Sequence, residues 1–179
     1  KMLLQGTHKR TAEQIATEIE SVGGSIDTFG GNNCFGISAE VISGDFETGL
    51  HLLADVLLNP TFPEDAFRRE QEIQLAGIKE QNDHMLQTGA RMMRRALFGE
   101  TTYGLDAIGS EESVRSIKVS DLQKFHRDLA APNNCVLSIF GDVNADEVKS
   151  TLEKILGGWK AQTKVAEKIP QSPPLNRIQ

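Results

Sequence analysis

The sequence predicts an α+β fold in which an antiparallel sheet carries helices packed on one face. Three observations lead there. Apolar residues recur at helical spacing in several separate stretches. Two short β-prone runs flank a Gly/Asn turn, and one further apolar run lies near the end. The strands are few and do not alternate with crossover helices, which excludes a doubly wound parallel sheet. So few strands make a poor sheet for this many helices, and further strands are expected upstream of Lys1.

The elements follow in chain order. Met2-Leu3-Leu4-Gln5 is helix-forming but has no N-cap ahead of it. Thr11 and Gln14 form a capping box, and Ala12, Ile15, Ala16, Ile19 and Val22 then make one stripe that stops at Gly23-Gly24. Ser25–Phe29 and Cys34–Val41 read as a hairpin around Gly30-Gly31-Asn32-Asn33. A helix from about Asp45 to Leu58 places Phe46, Leu50, Leu53, Ala54 and Leu57 on one face and ends at Asn59-Pro60. Pro63 opens a long polar helix through about Met85, and another runs from about Thr88 to Phe98. Ser110 and Ser120 are N-cap candidates, the second pairing with Gln123 ahead of inward Leu122, Phe125 and Leu129. Cys135–Phe140 reads as a buried strand. Asn144 with Glu147 caps a last helix, with Val148, Leu152, Ile155 and Leu156 inward and Gly157-Gly158 as its stop. One domain is expected over residues 1–160, followed by a Pro-rich linker over 161–179.

Composition narrows the function. The chain has 179 residues, with 19 Lys plus Arg against 25 Asp plus Glu, a formal net charge of −6. That balance argues against nucleic-acid partners, which call for Lys and Arg to displace counterions. No apolar run approaches the roughly 20 residues that span a bilayer, so no membrane partner is expected. Cys34 and Cys135 share no metal or redox spacing and read as buried thiols, which leaves the compartment open.

No catalytic pattern is legible in the residues by themselves. His8, His51, His84 and His126 form no local pair, and neither H-E-x-x-H nor H-x-x-E-H occurs. Glu80 and His84 stand at i,i+4 and read as a solvated pair. No G-x-S-x-G elbow or phosphate loop is present. Arg91, Arg94 and Arg95 read as a solvated helix face. Asp27, Thr28 and Phe29 lie in a strand that, as a sheet edge, could take up an extended peptide.

The ordered set of segments says more. Met2-Leu3-Leu4-Gln5-Gly6-Thr7 with Arg10-Thr11 precedes Glu18-Ile19-Glu20-Ser21-Val22-Gly23-Gly24. Leu50-His51-Leu52-Leu53-Ala54-Asp55 and Asn59-Pro60-Thr61-Phe62 follow. Then come Tyr103-Gly104, Gly109-Ser110-Glu111-Glu112, and Pro132-Asn133-Asn134 leading to Gly141-Asp142-Val143. The set covers about residues 1–160 and resembles the pitrilysin, insulin-degrading enzyme and mitochondrial processing peptidase family of zinc peptidases.

The resemblance implies a zinc motif H-x-x-E-H running into Met-Leu-x-x-Gly-Thr. Lys1 then stands where the family has its second His ligand. The third ligand, a Glu closing an E-R-x-x-x-x-x-E helix pattern, corresponds to Gly77 in the pattern that Glu70-Gln71 opens. An ammonium has no lone pair for zinc and glycine has no donor side chain. The resemblance therefore implies a zinc-less copy, with no metal or catalytic residues of its own and no cofactor in this segment. Zinc would belong to a catalytic partner domain or subunit, and peptide substrate would lie in a chamber between the two. Asp27, Thr28 and Phe29 match, in part, the family's Asn-Ala-aromatic edge segment that pairs with substrate. The alternative is a non-proteolytic assembly subunit that reuses the fold.

Overall fold

The computed structural model describes residues 1–31, 33–99 and 102–161, with the backbone alone at residue 102. The linker expected over 161–179 lies outside the described residues apart from residue 161. Seven α-helices are described: α1 (Ala12–Ser21), α2 (Phe46–Leu58), α3 (Glu64–Asp83), α4 (Met85–Phe98), α5 (Glu111–Ser116), α6 (Val119–Leu129) and α7 (Ala145–Leu156). The strands β1 (Ser25–Gly30) and β2 (Phe35–Glu40) form a two-stranded antiparallel sheet. The fold is α+β, as the sequence predicts. No described helix is long and apolar enough to cross a membrane.

The chain forms two compact units. Among the described residues, the first comprises Lys1–Phe29, Phe35–Phe67 and residues 118–161; the second comprises Gly30–Cys34 and Arg68–Ile117.

The first unit is built around α2. Leu52 and Val56 are fully buried, and they meet Leu3, Ile15, Ile19 and Phe62 in one cluster. Ile26 of β1 and Ile37 of β2 pack on that cluster, so one face of the hairpin covers it. The apolar face expected for α2 is thus too narrow. Leu50, Leu52, Ala54, Asp55 and Val56 are all buried, which makes α2 a central helix rather than a half-exposed one.

Local chemistry sets the ends of α1. Thr11 Oγ1 accepts from the Gln14 N–H while Gln14 Oε1 accepts from the Thr11 N–H. At the other end Gly24 N–H reaches Ile19 O and Gly23 N–H reaches Glu20 O, with Gly23 at φ 65°, a Schellman stop. The cap of α7 is also as predicted, since Asn144 Oδ1 accepts from the N–H groups of Asp146 and Glu147. Val148, Leu152, Ile155 and Leu156 are half-buried.

The second unit has a smaller core. Leu75 and Ile78 of α3 meet Val114 of α5, with Ile108 packed against them. Gln71 Nε2 donates to Val114 O at 2.8 Å and Gln74 Nε2 to Ile108 O at 2.9 Å, so α3 satisfies the loop before α5 with its polar side chains.

Several expectations are corrected. α6 starts at Val119 with Lys118 as its cap residue, not at Ser120. The Asp121 carboxylate accepts from the Lys118 N–H at 2.8 Å, a stronger terminus than Ser120 with Gln123 supplies. Within α6, Phe125 is exposed, and His126 turns inward, its Nε2 lying 2.7 Å from Leu57 O. α4 starts three residues before Thr88, at Met85.

Cys135–Phe140 forms no strand among the described residues. Its backbone starts out extended, with Cys135 at φ −117°, ψ 147°, yet no neighbouring strand pairs with it. Val136 and Phe140 are 94% and 92% exposed. Cys34 and Cys135 are exposed, not buried. The expected solvated arginine face is also divided, since Arg91 is half-buried and bonded to Asn82 Oδ1 at 2.7 Å.

Candidate functional site

The segment after Lys1 is a 3-10 turn, Met2–Gln5, that buries Leu3 and leads into Gly6 at φ 143°. An L-residue rarely adopts that angle, and a Cβ there would lie 3.4 Å from Thr61 Oγ1. Gly6 and Thr7 bridge to Thr11 and Pro60 respectively, and Thr61 N–H donates to Gly6 O at 3.0 Å. The start of the chain is therefore stitched to the turn that ends α2.

A polar brace fixes this arrangement. Asp55, buried in the middle of α2, accepts from Thr7 Oγ1 at 2.8 Å and from Arg10 Nη1 at 2.7 Å on one oxygen. Its other oxygen accepts from Asn59 Nδ2 at 2.9 Å. Arg10 also grips Glu18 of α1 with two nitrogens, at 2.6 and 2.9 Å. Burial opposes ionisation of Asp55, but the bonds from Thr7, Asn59 and Arg10 outweigh it and hold the carboxyl below its ordinary range. The Arg10 hydrogen bond holds Glu18 low as well, against a smaller opposing effect of burial. The Glu18 bond, offset in part by burial and aided by Asp55, raises Arg10. The brace is fully ionised near neutrality, and its charges are spent on one another. That makes it a positioning device for the segment following Lys1 rather than an acid–base catalyst.

In the sequence this brace is not marked as a unit. Its signal was an acid, Asp55, inside the apolar run Leu52-Leu53-Ala54-Asp55-Val56-Leu57-Leu58. A buried carboxylate calls for partners, and here they come from up to 48 residues away.

Of the residues singled out in sequence, the structure brings Lys1 and Thr28 together. The backbone nitrogen of Lys1 donates to Thr28 Oγ1 at 2.6 Å. Asp27, Thr28 and Phe29 lie on β1, whose outer edge pairs with no other strand among the described residues. Asp27 is exposed, Thr28 half-buried and Phe29 54% exposed, the alternation of a half-covered strand. The Phe29 ring lies over Gly36 of β2, where a Cβ would come within 2.4 Å of its Cζ. Gly36 thus gives the ring a flat seat across the pair.

Gly77 belongs to the second unit, exposed on α3 between the buried Leu75 and Ile78, and a Cβ there would meet nothing within 4 Å. The space for a longer side chain is open there. Zinc does not fit the residues at these two positions, because neither an ammonium nor a glycine hydrogen offers it a lone pair. Among the described residues, no group of three or more His, Cys, Asp or Glu side chains is gathered as a metal site.

Comparison with known proteins gives the lineage. Residues 1–111 match the family model described as insulinase, peptidase family M16, and residues 116–179 match that of the peptidase M16 inactive domain. The chain is 31% identical over 156 residues to an uncharacterized zinc protease of Mycobacterium leprae (strain TN), covering 87% of this chain and 35% of that protein. It is 25% identical over 163 residues to an uncharacterized zinc protease of Bacillus subtilis (strain 168), covering 91% and 40%. The chain thus spans about two fifths or less of these relatives. Among solved structures, the peptidase M16 inactive domain of Pseudomonas fluorescens superposes with a TM-score of 0.86 at 23% identity, over 96% of this chain and 42% of that one. The periplasmic protease PqqL of Escherichia coli superposes with a TM-score of 0.82 at 14% identity, over 96% and 20%. These two likenesses concern the fold. The family model matches well over half of the chain, and the protein belongs to the insulinase family, peptidase family M16.

Proposed function

We propose that this chain is a non-catalytic domain of a zinc-dependent peptidase of the insulinase family. It forms part of the wall of a peptide-binding chamber, and the zinc belongs to a catalytic partner domain or subunit of the same family. The single observation that carries this reading is the pair Lys1 and Gly77, a lysine and a glycine at the positions where the family resemblance implies a His and a Glu ligand. Residues 1–160 act as one family domain in this reading, with the following stretch as a linker. The outer edge of β1, at Asp27, Thr28 and Phe29, offers backbone groups to an extended peptide, with Phe29 as an apolar contact.

Elemental analysis of the purified chain tests the reading directly. The expected result is zinc far below one ion per chain after dialysis. Stoichiometric zinc that a chelator removes would overturn it. The longer polypeptide, or the chain together with its partner subunit, should cleave a quenched fluorogenic peptide in a chelator-sensitive way. An intact H-x-x-E-H upstream or in the companion subunit accompanies that outcome. Its absence, with no cleavage, favours the non-proteolytic assembly subunit.

A further inference from the structure

Helix α4 faces the wrong way for an ordinary surface helix. At 3.6 residues per turn, Met85, Leu86, Met92, Met93 and Leu97 fall, with small Gly and Ala between them, on one unbroken apolar arc. The chain packs against the opposite side. Thr88 Oγ1 lies 3.4 Å from the carbonyls of Gln81 and Asn82, Arg91 is bonded to Asn82 and lies 3.6 Å from Asp106, and the Phe98 ring stacks near Tyr103. These three α4 residues are half-buried, whereas Met85 is 86% and Leu86 89% exposed, and no α4 residue is buried.

The charge on α4 itself is one-sided. Met85–Phe98 contains Arg91, Arg94 and Arg95 and no acidic residue, in a chain whose net charge is −6. Helical spacing puts Arg94 beside one border of the arc and Arg95 near the other. A second copy of this chain would bring arginine against arginine along a shared axis, so self-pairing of α4 is disfavoured. A complementary surface is an apolar stripe with a carboxylate rim. Three of the chain's four methionines lie on this arc, and Met side chains adapt to an irregular protein surface. More than half of each matched relative lies outside the span this chain covers, which leaves ample polypeptide to supply such a surface.

We propose that the apolar arc of α4 is a docking face for a companion domain, which covers it with an acid-rimmed apolar helix. The proposal rests on the reading of this chain as a domain that works beside a partner. It depends neither on zinc nor on cleavage. A chain that binds zinc would end the non-catalytic reading and leave this one standing, while a chain without zinc whose α4 binds nothing would do the reverse.

The 179-residue chain itself serves for the test. Two labelled synthetic helical peptides carry the same Leu/Met stripe, one with a Glu rim and one with a Lys rim, and binding is read by fluorescence anisotropy. The Glu-rimmed peptide should bind at least about tenfold more tightly, and more weakly as salt rises. The double variant Leu86→Glu, Met93→Glu should lose that binding with its circular dichroism unchanged, because both side chains are exposed. If the double variant loses helix signal, the single variant Met93→Gln decides in its place. Arg94→Glu should reduce or invert the preference between the peptides. Equal binding of the two peptides, or binding that survives the arc variants, overturns the proposal. Two other results also overturn it: binding to phosphatidylglycerol vesicles without peptide binding, which assigns the arc to a lipid surface, and arc-dependent dimers in sedimentation, which assign it to a second copy.

Discussion

Replacing Asp55 tests the brace that positions the start of the chain. In Asp55→Ala, Thr7, Arg10 and Asn59 all lose their acceptor, and the Arg10 guanidinium keeps its pairing to Glu18 but loses its buried counter-charge. The Asp55 side chain is only 5% exposed. Removing one partner of a buried ion pair typically costs about 3–5 kcal/mol, and the expected loss lies in that range. Asp55→Asn is gentler. Its oxygen can take the place that accepts from Thr7 and Arg10, and a flip of the Asn59 amide can then accept from the new NH2 group. What remains lost is the charge-assisted part of the bonds, about 1–2 kcal/mol.

The sign of the pH dependence follows from the lowered folded-state value of Asp55. A carboxyl held below its unfolded value contributes stability that is fully present above the ordinary Asp value of about 3.9, and that is lost as pH falls through the folded value. The gap between wild type and Asp55→Asn should therefore be constant from pH 7 to about pH 5 and shrink in more acid solution. Glu18, lowered for the same reason, gives wild type and variant alike a falling acid limb. Urea unfolding followed by Trp159 fluorescence at a series of pH values measures both quantities. A cost below about 1 kcal/mol for Asp55→Ala would refute the reasoning. So would an Asp55→Asn gap that widens in acid.

The other expectations concern Gly77 and the two thiols. Gly77 is exposed within α3 with open space around its missing Cβ, so Gly77→Ala should stabilise the chain by about 0.5–1 kcal/mol in urea unfolding. Gly77→Glu should be tolerated just as well and, with Lys1 unchanged, should bring no zinc with it in elemental analysis. Both cysteines are exposed, and the native chain should give up both thiols to Ellman's reagent without denaturant. Partial burial raises the Cys135 thiol above its ordinary value, so its labelling should be slower than that of Cys34, and the single variants Cys34→Ser and Cys135→Ser assign the two rates.

The fold was legible wherever an element carries its own ends. α1 has a capping box at Thr11 and a glycine stop at Gly23, and α7 has Asn144; each is settled by residues within one turn. α4 lacked such a signal. Its cap residue, His84, makes no side-chain capping bond, so nothing local distinguishes a start at Met85 from one at Thr88. α6 was expected to be capped by Ser120, and its cap lies two residues earlier, at Lys118, whose N–H finds the Asp121 carboxylate. The brace was illegible as a unit because its donors and acceptors are distant in sequence, although Asp55 in an apolar run marked where to look.

Cys135–Phe140 and α4 failed in the same way, and the reason is physical. Periodicity reports which side chains prefer to leave water, and it is silent about what they leave water for. An apolar run becomes a strand only when a neighbouring strand takes its backbone bonds, since its side chains alone do not satisfy N–H and C=O groups. Cys135–Phe140 has the composition of a strand and, among the described residues, no such neighbour, so Val136 and Phe140 stand in solvent. The arc of α4 is likewise easy to read from spacing, yet its direction is opposite to the one a self-contained unit would choose, because Thr88 and Arg91 are held from the other side. In both places the sequence is locally consistent and the chain by itself is not. Such a disagreement is expected of surfaces that pack against a partner. If so, the two patches should respond together: hydrogen exchange across α4 and across Cys135–Phe140 should both slow in the longer polypeptide, while α2, already enclosed by its own unit, should exchange at the same rate in either setting.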